Sequence, residues 1–369
     1  MLKTVKELLI TLYLHIVGVV GRLSKQRSIK NQTVCIVTYG DNVWPIIEQL
    51  AIEKQQRIYC FYDSSKAQLS SRPIHPYIIY KPLTLYNKLF SIPYFVSVSS
   101  HCILDNYVAE LSELPVRDGT KRFQVWHAAG AMKAFGLTAA QNKVRGDKAN
   151  ARFRKVYKNY GHFIVPGMKC AEQFSKAHDL PIERFLPLGM PRTDSWVRSY
   201  TKTKERLIVF APTYRENEDY DVMPYVKQLH ERFTKQGYQF LVKLHPAVEV
   251  TNELEGIQFI DSKESIMPYL MKAEWVITDY SSIPFESCLF DTKLALFVPD
   301  LEEYAMVPGL VDHYMTLIDA PIVGTVEELV TCIVQNQHGN EKWADEWYDL
   351  TPGYATNRIV QYFYEEDEH

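Results

Sequence analysis

Two apolar runs that end abruptly in polar residues carry the most chemistry in this chain. Trp275-Val276-Ile277-Thr278 empties into Asp279-Tyr280-Ser281-Ser282-Ile283-Pro284-Phe285-Glu286, and Phe240-Leu241-Val242-Lys243-Leu244 empties into His245-Pro246. Short apolar runs of this kind read as buried parallel strands that deliver their last residues to a cleft. Pro284 stands where the first turn of a helix tolerates a missing N–H. Serine hydroxyls, free backbone N–H groups and the positive end of a helix dipole would together bind an anion, with His245 beside it. The stretch reads as a phosphate-binding wall.

Three further strand ends have the same character. Arg122 to Trp126 runs into His127-Ala128-Ala129-Gly130-Ala131-Met132-Lys133. Small residues there would let backbone approach a ligand, although a core histidine satisfied by a carbonyl and followed by a turn glycine reads the same way. Leu207 to Ala211 runs into Pro212-Thr213-Tyr214-Arg215-Glu216, and Phe185 to Gly189 into Met190-Pro191-Arg192-Thr193-Asp194. The candidate catalytic residues are therefore His127 and His245. Trp126, Gly130, Lys133, Arg192, Thr213, Arg215, Asp279, Ser281, Ser282 and Glu286 are the candidates for binding.

The elements that must position them alternate. Strands are expected at Val34–Val37, Arg57–Tyr62, Tyr77–Tyr80, Cys102–Leu104, Arg122–Trp126, His162–Pro166 and Phe185–Gly189 in a first half. A second half holds Leu207–Ala211, Tyr238–Leu244, Gln258–Ile260, Trp275–Thr278 and Leu294–Val298. Helices lie between many of them, which predicts right-handed βαβ units and parallel sheets. Thr201 to Glu205 is a polar linker. The expected class is α/β, with a boundary near residue 200. No G-x-G-x-x-G follows the first strand, so no nicotinamide cofactor is expected. At 369 residues with 46% hydrophobic and 23% charged residues, the chain is globular and long enough for two domains. A net charge of −3 gives no support for nucleic-acid binding. Six scattered cysteines without a C-x-x-C pair argue against zinc and against a disulfide framework. No second carboxylate stands at ligand spacing from Asp279, so no metal is expected and Asp279 is read as orienting His245 or a serine.

Residues 1–30 differ from the rest. Leu2, Val5, Leu9, Leu12, Ile16, Val20 and Leu23 share one side of a helical wheel, with Thr11, His15, Gly18, Arg22 and Lys25 opposite. Leu8 to Val20 alone is too short to span a bilayer. A secretory signal would want an A-x-A-like cleavage site, and none is present. A helix packed on the protein's own core and an interfacial anchor on anionic lipid both remain. Only the anchor also explains the basic flanks at Lys3, Lys6, Arg22, Lys25, Arg27 and Lys30. Because the segment precedes the first strand, the sheet is not expected to need it.

The segments 124–133, 211–216, 243–246 and 278–282 together resemble the CDP-glycerol glycerophosphotransferases of wall teichoic acid synthesis, over about residues 33–363. Trp126 to Lys133 followed by Phe135-Gly136-Leu137-Thr138, with Arg154-Lys155-Val156-Tyr157, is most similar to the primase branch. Ala129 departs from the pattern of many relatives, where glycine follows the histidine closely. The resemblance implies two Rossmann-like domains facing a central cleft, of the GT-B type. Residues 31–200 would form the acceptor domain and 201–369 the CDP-glycerol-binding domain. It implies transfer of one glycerol phosphate from CDP-glycerol to an undecaprenyl-diphosphate-linked N-acetylmannosaminyl-N-acetylglucosamine, releasing CMP, at the cytoplasmic face of the cell membrane. His127 would be the general base, His245, Arg215, Ser281 and Ser282 would hold the pyrophosphate, and Glu286 the ribose hydroxyls. An elongating polymerase, or a nucleotide-sugar glycosyltransferase of the same fold, is the alternative.

Overall fold

The computed structural model describes residues 2–215, 220–245, 248, 256–262, 264–339 and 343–364. Glu216 and Pro246, which close two of the motifs, and the acidic tail from Glu365 lie outside the described residues. The chain forms two compact units. One comprises Met1–Ala128, Gly136–Asp194 and Tyr348–His369, the other Ala129–Phe135 and Ser195–Trp347.

The first unit is built on seven parallel strands: β1 (Lys30–Val37), β2 (Ile58–Tyr62), β3 (Ile78–Pro82), β4 (Ser99–Leu104), β5 (Lys121–Gln124), β6 (His162–Ile164) and β7 (Phe185–Leu186), in the order β3-β2-β1-β4-β5-β6-β7. Thr33 to Val37 are buried without alternation, as a strand covered on both faces requires. The helix Ala355–Tyr364 returns to this sheet, stacking Phe363 on Phe123 at 4.1 Å and burying Ile359 and Val360. Residues from Tyr348 onward thus fold with the first unit, although sequence order places them in the second half.

The second unit carries β8 (Glu205–Phe210), β9 (Gln239–Val242), β10 (Gln258–Phe259), β11 (Ala273–Thr278), β12 (Lys293–Phe297) and β13 (Ile322–Val323), ordered β10-β9-β8-β11-β12-β13 and parallel throughout. Helices Met223–Lys235 and Val326–Val334 bury Val226, Leu229 and Phe233, and Leu329, Cys332 and Ile333, in the same core as Phe210, Val242 and Ile277. Both sheets reverse their strand order at one point, between β1 and β4 and between β8 and β11. In open parallel sheets such a reversal opens the crevice where ligands bind.

The first helix, α1, spans Leu2–Ser24 without a break and is long and apolar enough to cross a membrane by length and composition. It is docked along the first unit by one face. Leu14, Val17, Gly18, Gly21 and Ser24 are buried, and a Cβ at Gly21 would meet Leu114 at 2.4 Å. Tyr13 hydrogen-bonds Glu110, and Arg152 grips Glu7 with two bonds of 2.7 and 3.0 Å. Gly18, expected on the polar side, is therefore on the packed side, because two glycines let the helix approach its neighbours closely. The helix thus buries one face on the first unit although it precedes the first strand. Val5, Leu8, Leu9 and Leu12 are left more than half exposed.

Candidate active site

In the first unit, the site is built around His127. The chain leaves β5 through Trp126, held at φ +51°, and this turn lays the Trp126 and His127 rings together at 4.6 Å. Tyr39, in the loop after β1, packs against the imidazole at 4.6 Å. The Nδ1 atom lies 3.1 Å from the carbonyl of Asp105. A carbonyl only accepts, so Nδ1 carries the proton and Nε2 keeps its lone pair. Burial pushes the imidazole pKa down to about 4, the Asp105 carbonyl opposes this, and the Arg192 charge adds to the depression. His127 is therefore neutral near pH 7, with a tautomer that can take a proton.

Arg192 supports the same turn. Its Nη1 donates to the His127 carbonyl at 2.8 Å and lies 3.7 Å from the Asp41 carboxylate, and its backbone N–H donates to Asn42 at 3.0 Å. Asn42 in turn donates to the Trp126 carbonyl. Asp105 holds the loop after β1 by accepting from Thr38, Tyr39 and Gly40. Neither Asp105 nor Tyr39 was singled out from sequence. The signal was present, since Asp105 directly follows β4 as Asp279 follows β11.

In the second unit, Asp279 accepts from the backbone N–H groups of Thr213 (2.9 Å) and Tyr280 (2.6 Å), and from Arg215 at 2.9 Å. It does not orient His245 or a serine as expected; it braces the loop after β8 against the end of β11. Arg215 requires a correction too. Nε and Nη2 pair with Asp300 at 2.6 and 3.1 Å, Nη2 with Asp279, and Nη1 with the Thr213 carbonyl at 2.6 Å. Its carbon Cζ sits 4.7 Å from the ring centres of Tyr220, Tyr280 and Tyr304. Burial disfavours the charge, and the Asp300 and Asp279 carboxylates more than reverse that, raising the pKa. A guanidinium so engaged, with its side chain 5% exposed, is a scaffold rather than a hand offered to pyrophosphate. Asp300, two residues beyond Val298, is the partner that sequence reading missed.

Gly130 is also corrected. A Cβ there would meet Trp347 at 2.7 Å and Phe285 at 2.8 Å, so the glycine makes room for an aromatic wall and not for a ligand. The Trp347 indole donates to the Ala129 carbonyl at 2.8 Å. This wall draws Ala129–Phe135 into the second unit, where Lys133 bridges Leu310. Lys133 there lies close enough to His245 to help lower its pKa, after the larger effect of burial. His245 is exposed, with its ring stacked on Tyr214 at 5.4 Å. Thr213 keeps its hydroxyl oxygen buried without a hydrogen-bond partner among the described residues. Ser281 accepts from Ile283 at 3.1 Å, which shapes the turn into the helix Pro284–Ser287. That helix is a single turn, so hydroxyls and backbone N–H groups carry more of any anion binding than its dipole. Glu286 is buried in the same turn. The ends of β9, β8 and β11 thus bring His245, Thr213 and Ser281 to one edge of a Rossmann-like unit, with Asp279 bracing the last two, while a neutral histidine follows β5 in the other.

Residues 26–365 match the family model described as CDP-Glycerol:Poly(glycerophosphate) glycerophosphotransferase. The chain belongs to that family. It is a CDP-glycerol glycerophosphotransferase, and the resemblance seen in the motifs is borne out. It is 26% identical over 377 residues to the teichoic acid glycerol-phosphate primase of Bacillus subtilis (strain 168), covering 97% of this chain and 98% of that one. It is 28% identical over 271 residues to the protein of the same name from Staphylococcus aureus (strain NCTC 8325 / PS 47), covering 70% and 72%. A solved structure of a histidine-to-alanine variant of the wall teichoic acid polymerase TagF superposes with a TM-score of 0.72 at 18% identity, over 100% of this chain and 98% of that one. That likeness bears out the GT-B-like α/β class.

Proposed function

We propose that this enzyme transfers a single glycerol phosphate from CDP-glycerol to an undecaprenyl-diphosphate-linked N-acetylmannosaminyl-N-acetylglucosamine, releasing CMP, as a priming step of wall teichoic acid synthesis. The observation that carries this reading is the similarity, along nearly the whole of both chains, to a glycerol-phosphate primase. In the proposed reaction, an acceptor hydroxyl attacks the β-phosphorus of CDP-glycerol as its proton passes to Nε2 of His127. The bond from the β-phosphorus to the bridging oxygen breaks, and that oxygen leaves on CMP. His245, Lys133, Ser281, Ser282 and Thr213 hold the diphosphate, the cation and hydroxyls spreading its charge. Arg192 and Trp126 fix the turn that presents His127, and Asp279 with Arg215 fixes the loops that present Thr213 and Ser281. The first unit serves the acceptor, and the second, which includes Ala129–Phe135, the nucleotide.

The enzyme works at the cytoplasmic face of the membrane, resting on α1. The exposed ridge of Val5, Leu8, Leu9 and Leu12 supports this. So do the exposed Leu85, Tyr86 and Phe90 around the short helix Asn87–Ser91, which packs against α1. Apolar side chains beside Lys6 and Lys88 in the chain suit the boundary between acyl chains and anionic headgroups. The deciding experiment is mass spectrometry of the product from a lipid-linked disaccharide analogue, with CDP-glycerol and CDP-ribitol as competing donors. One added glycerol phosphate at high donor excess is the expected product. A ladder of repeats would turn the reading to a polymerase, and preference for CDP-ribitol would change the donor.

A further inference from the structure

Asp105 touches His127 by two routes. At the end of β4 and 1% exposed, it accepts Nδ1–H of His127 on its own carbonyl. Its carboxylate accepts from the backbone N–H groups of Thr38 at 2.7 Å, Tyr39 at 2.8 Å and Gly40 at 2.8 Å. Those three residues form the loop that follows β1, the neighbour of β4 where the strand order reverses. Gly40 is held at φ +100°, a conformation that costs glycine little, so the turn can aim three donors at one carboxylate. The same loop carries the Tyr39 ring that packs on the imidazole. The second unit repeats the device, with Asp279 at the end of β11 accepting from Thr213 beyond β8.

We propose that Asp105 is the positioning residue of the base, its carboxylate clamping loop 38–40 and the Tyr39 ring against His127 while its carbonyl keeps the proton on Nδ1. This rests on the reading of His127 as the base. An amide in place of the carboxylate would turn one acceptor into a donor facing backbone donors, so the loop must shift. A displacement of about 1 Å at a reacting group costs up to about 10²-fold in rate.

The test uses full-length enzyme carrying Asp105→Asn, with Tyr39→Leu as a second variant that leaves the carboxylate and its three bonds in place. Turnover and the CDP-glycerol KM are measured alongside the ¹⁵N shifts of the His127 ring. Asp105→Asn is expected to lower kcat by about 10- to 100-fold with the donor KM within about twofold, while Nδ1 keeps its proton because the backbone carbonyl stays in place. Tyr39→Leu is expected to lower kcat with the tautomer kept. Wild-type kcat in Asp105→Asn would overturn the proposal. If that variant does not fold, wild-type kcat in Tyr39→Leu would do so. His127→Gln with retained turnover would instead sink the base assignment, and the wild-type ¹⁵N shifts would still decide whether the Asp105 carbonyl keeps the proton on Nδ1.

Discussion

Replacing Arg215 with methionine separates a scaffold from a ligand-binding residue. The substitution keeps most of the volume and removes the charge that pairs Asp279 with Asp300. Asp279 suffers more, because its side chain is 3% exposed against 16% for Asp300 and water cannot replace the lost partner. Removing one member of a buried pair costs about 3–5 kcal/mol. Asp279 keeps two backbone donors and Asp300 keeps the Tyr280 hydroxyl, which favours the lower half of that range. Loss of the contacts with three tyrosine rings acts in the other direction, by about 0.5–2 kcal/mol. For a domain of roughly 150–250 residues each kcal/mol moves Tm by about 2–4 °C, so a fall of about 10 °C is expected. Differential scanning calorimetry reads this directly. Adding Asp300→Asn should cost less than the sum of the two single changes, because both break one network. A variant that melts within about 2 °C of wild type yet binds CDP-glycerol more than tenfold worse would refute the scaffold reading and return Arg215 to the pyrophosphate.

His127→Gln is expected to lower turnover by about 10²–10⁴-fold while calorimetry shows CDP-glycerol affinity unchanged. NMR titration of the His127 ring should give a midpoint near 4 rather than 6.5. Because burial holds His127, and His178 at the end of the helix Met168–His178, at pKa values near 4, stability is full above about pH 6.5 and is lost as pH falls toward 4, by about 3 kcal/mol each. Asp105, raised by burial to about 6, offsets about as much as one of them, and urea melts at pH 7 and pH 4.5 measure the balance. Gly130→Ala should destabilise the second unit by about 1–3 kcal/mol, read as a lower urea midpoint, since the aromatic wall leaves no room for a methyl group. Changing Leu8, Leu9 and Leu12 together to serine should leave the melting curve intact and release the protein from anionic vesicles in a flotation assay. Unchanged flotation would show that the membrane face lies elsewhere.

Strand placement was legible because a buried parallel strand carries an apolar run, and β1, β8, β9, β11 and β12 each contain one, whereas β5 (Lys121–Gln124) is largely charged and polar. The residues that end those runs fall at the C-terminal edge of a sheet by construction, so His127, Thr213, His245 and Ser281 could be picked out, and with them the family. What a polar strand-end residue does was not legible. Arg215 and Asp300 are 85 residues apart and meet only because β8, β11 and β12 are neighbours in the sheet. That pairing turns an apparent anion donor into a brace. Asp105 reaches a loop 65 residues earlier for the same reason, since β1 lies beside β4. Gly130 could be read as ligand space until Phe285 and Trp347 filled it. The face of α1 that packs was decided by where two glycines find a partner surface, and not by where leucines gather. Local pattern records the period of an element and the burial of its faces; the partner of a charge, or the filler of a gap beside a glycine, is set by which strands become neighbours, and only the folded chain decides that.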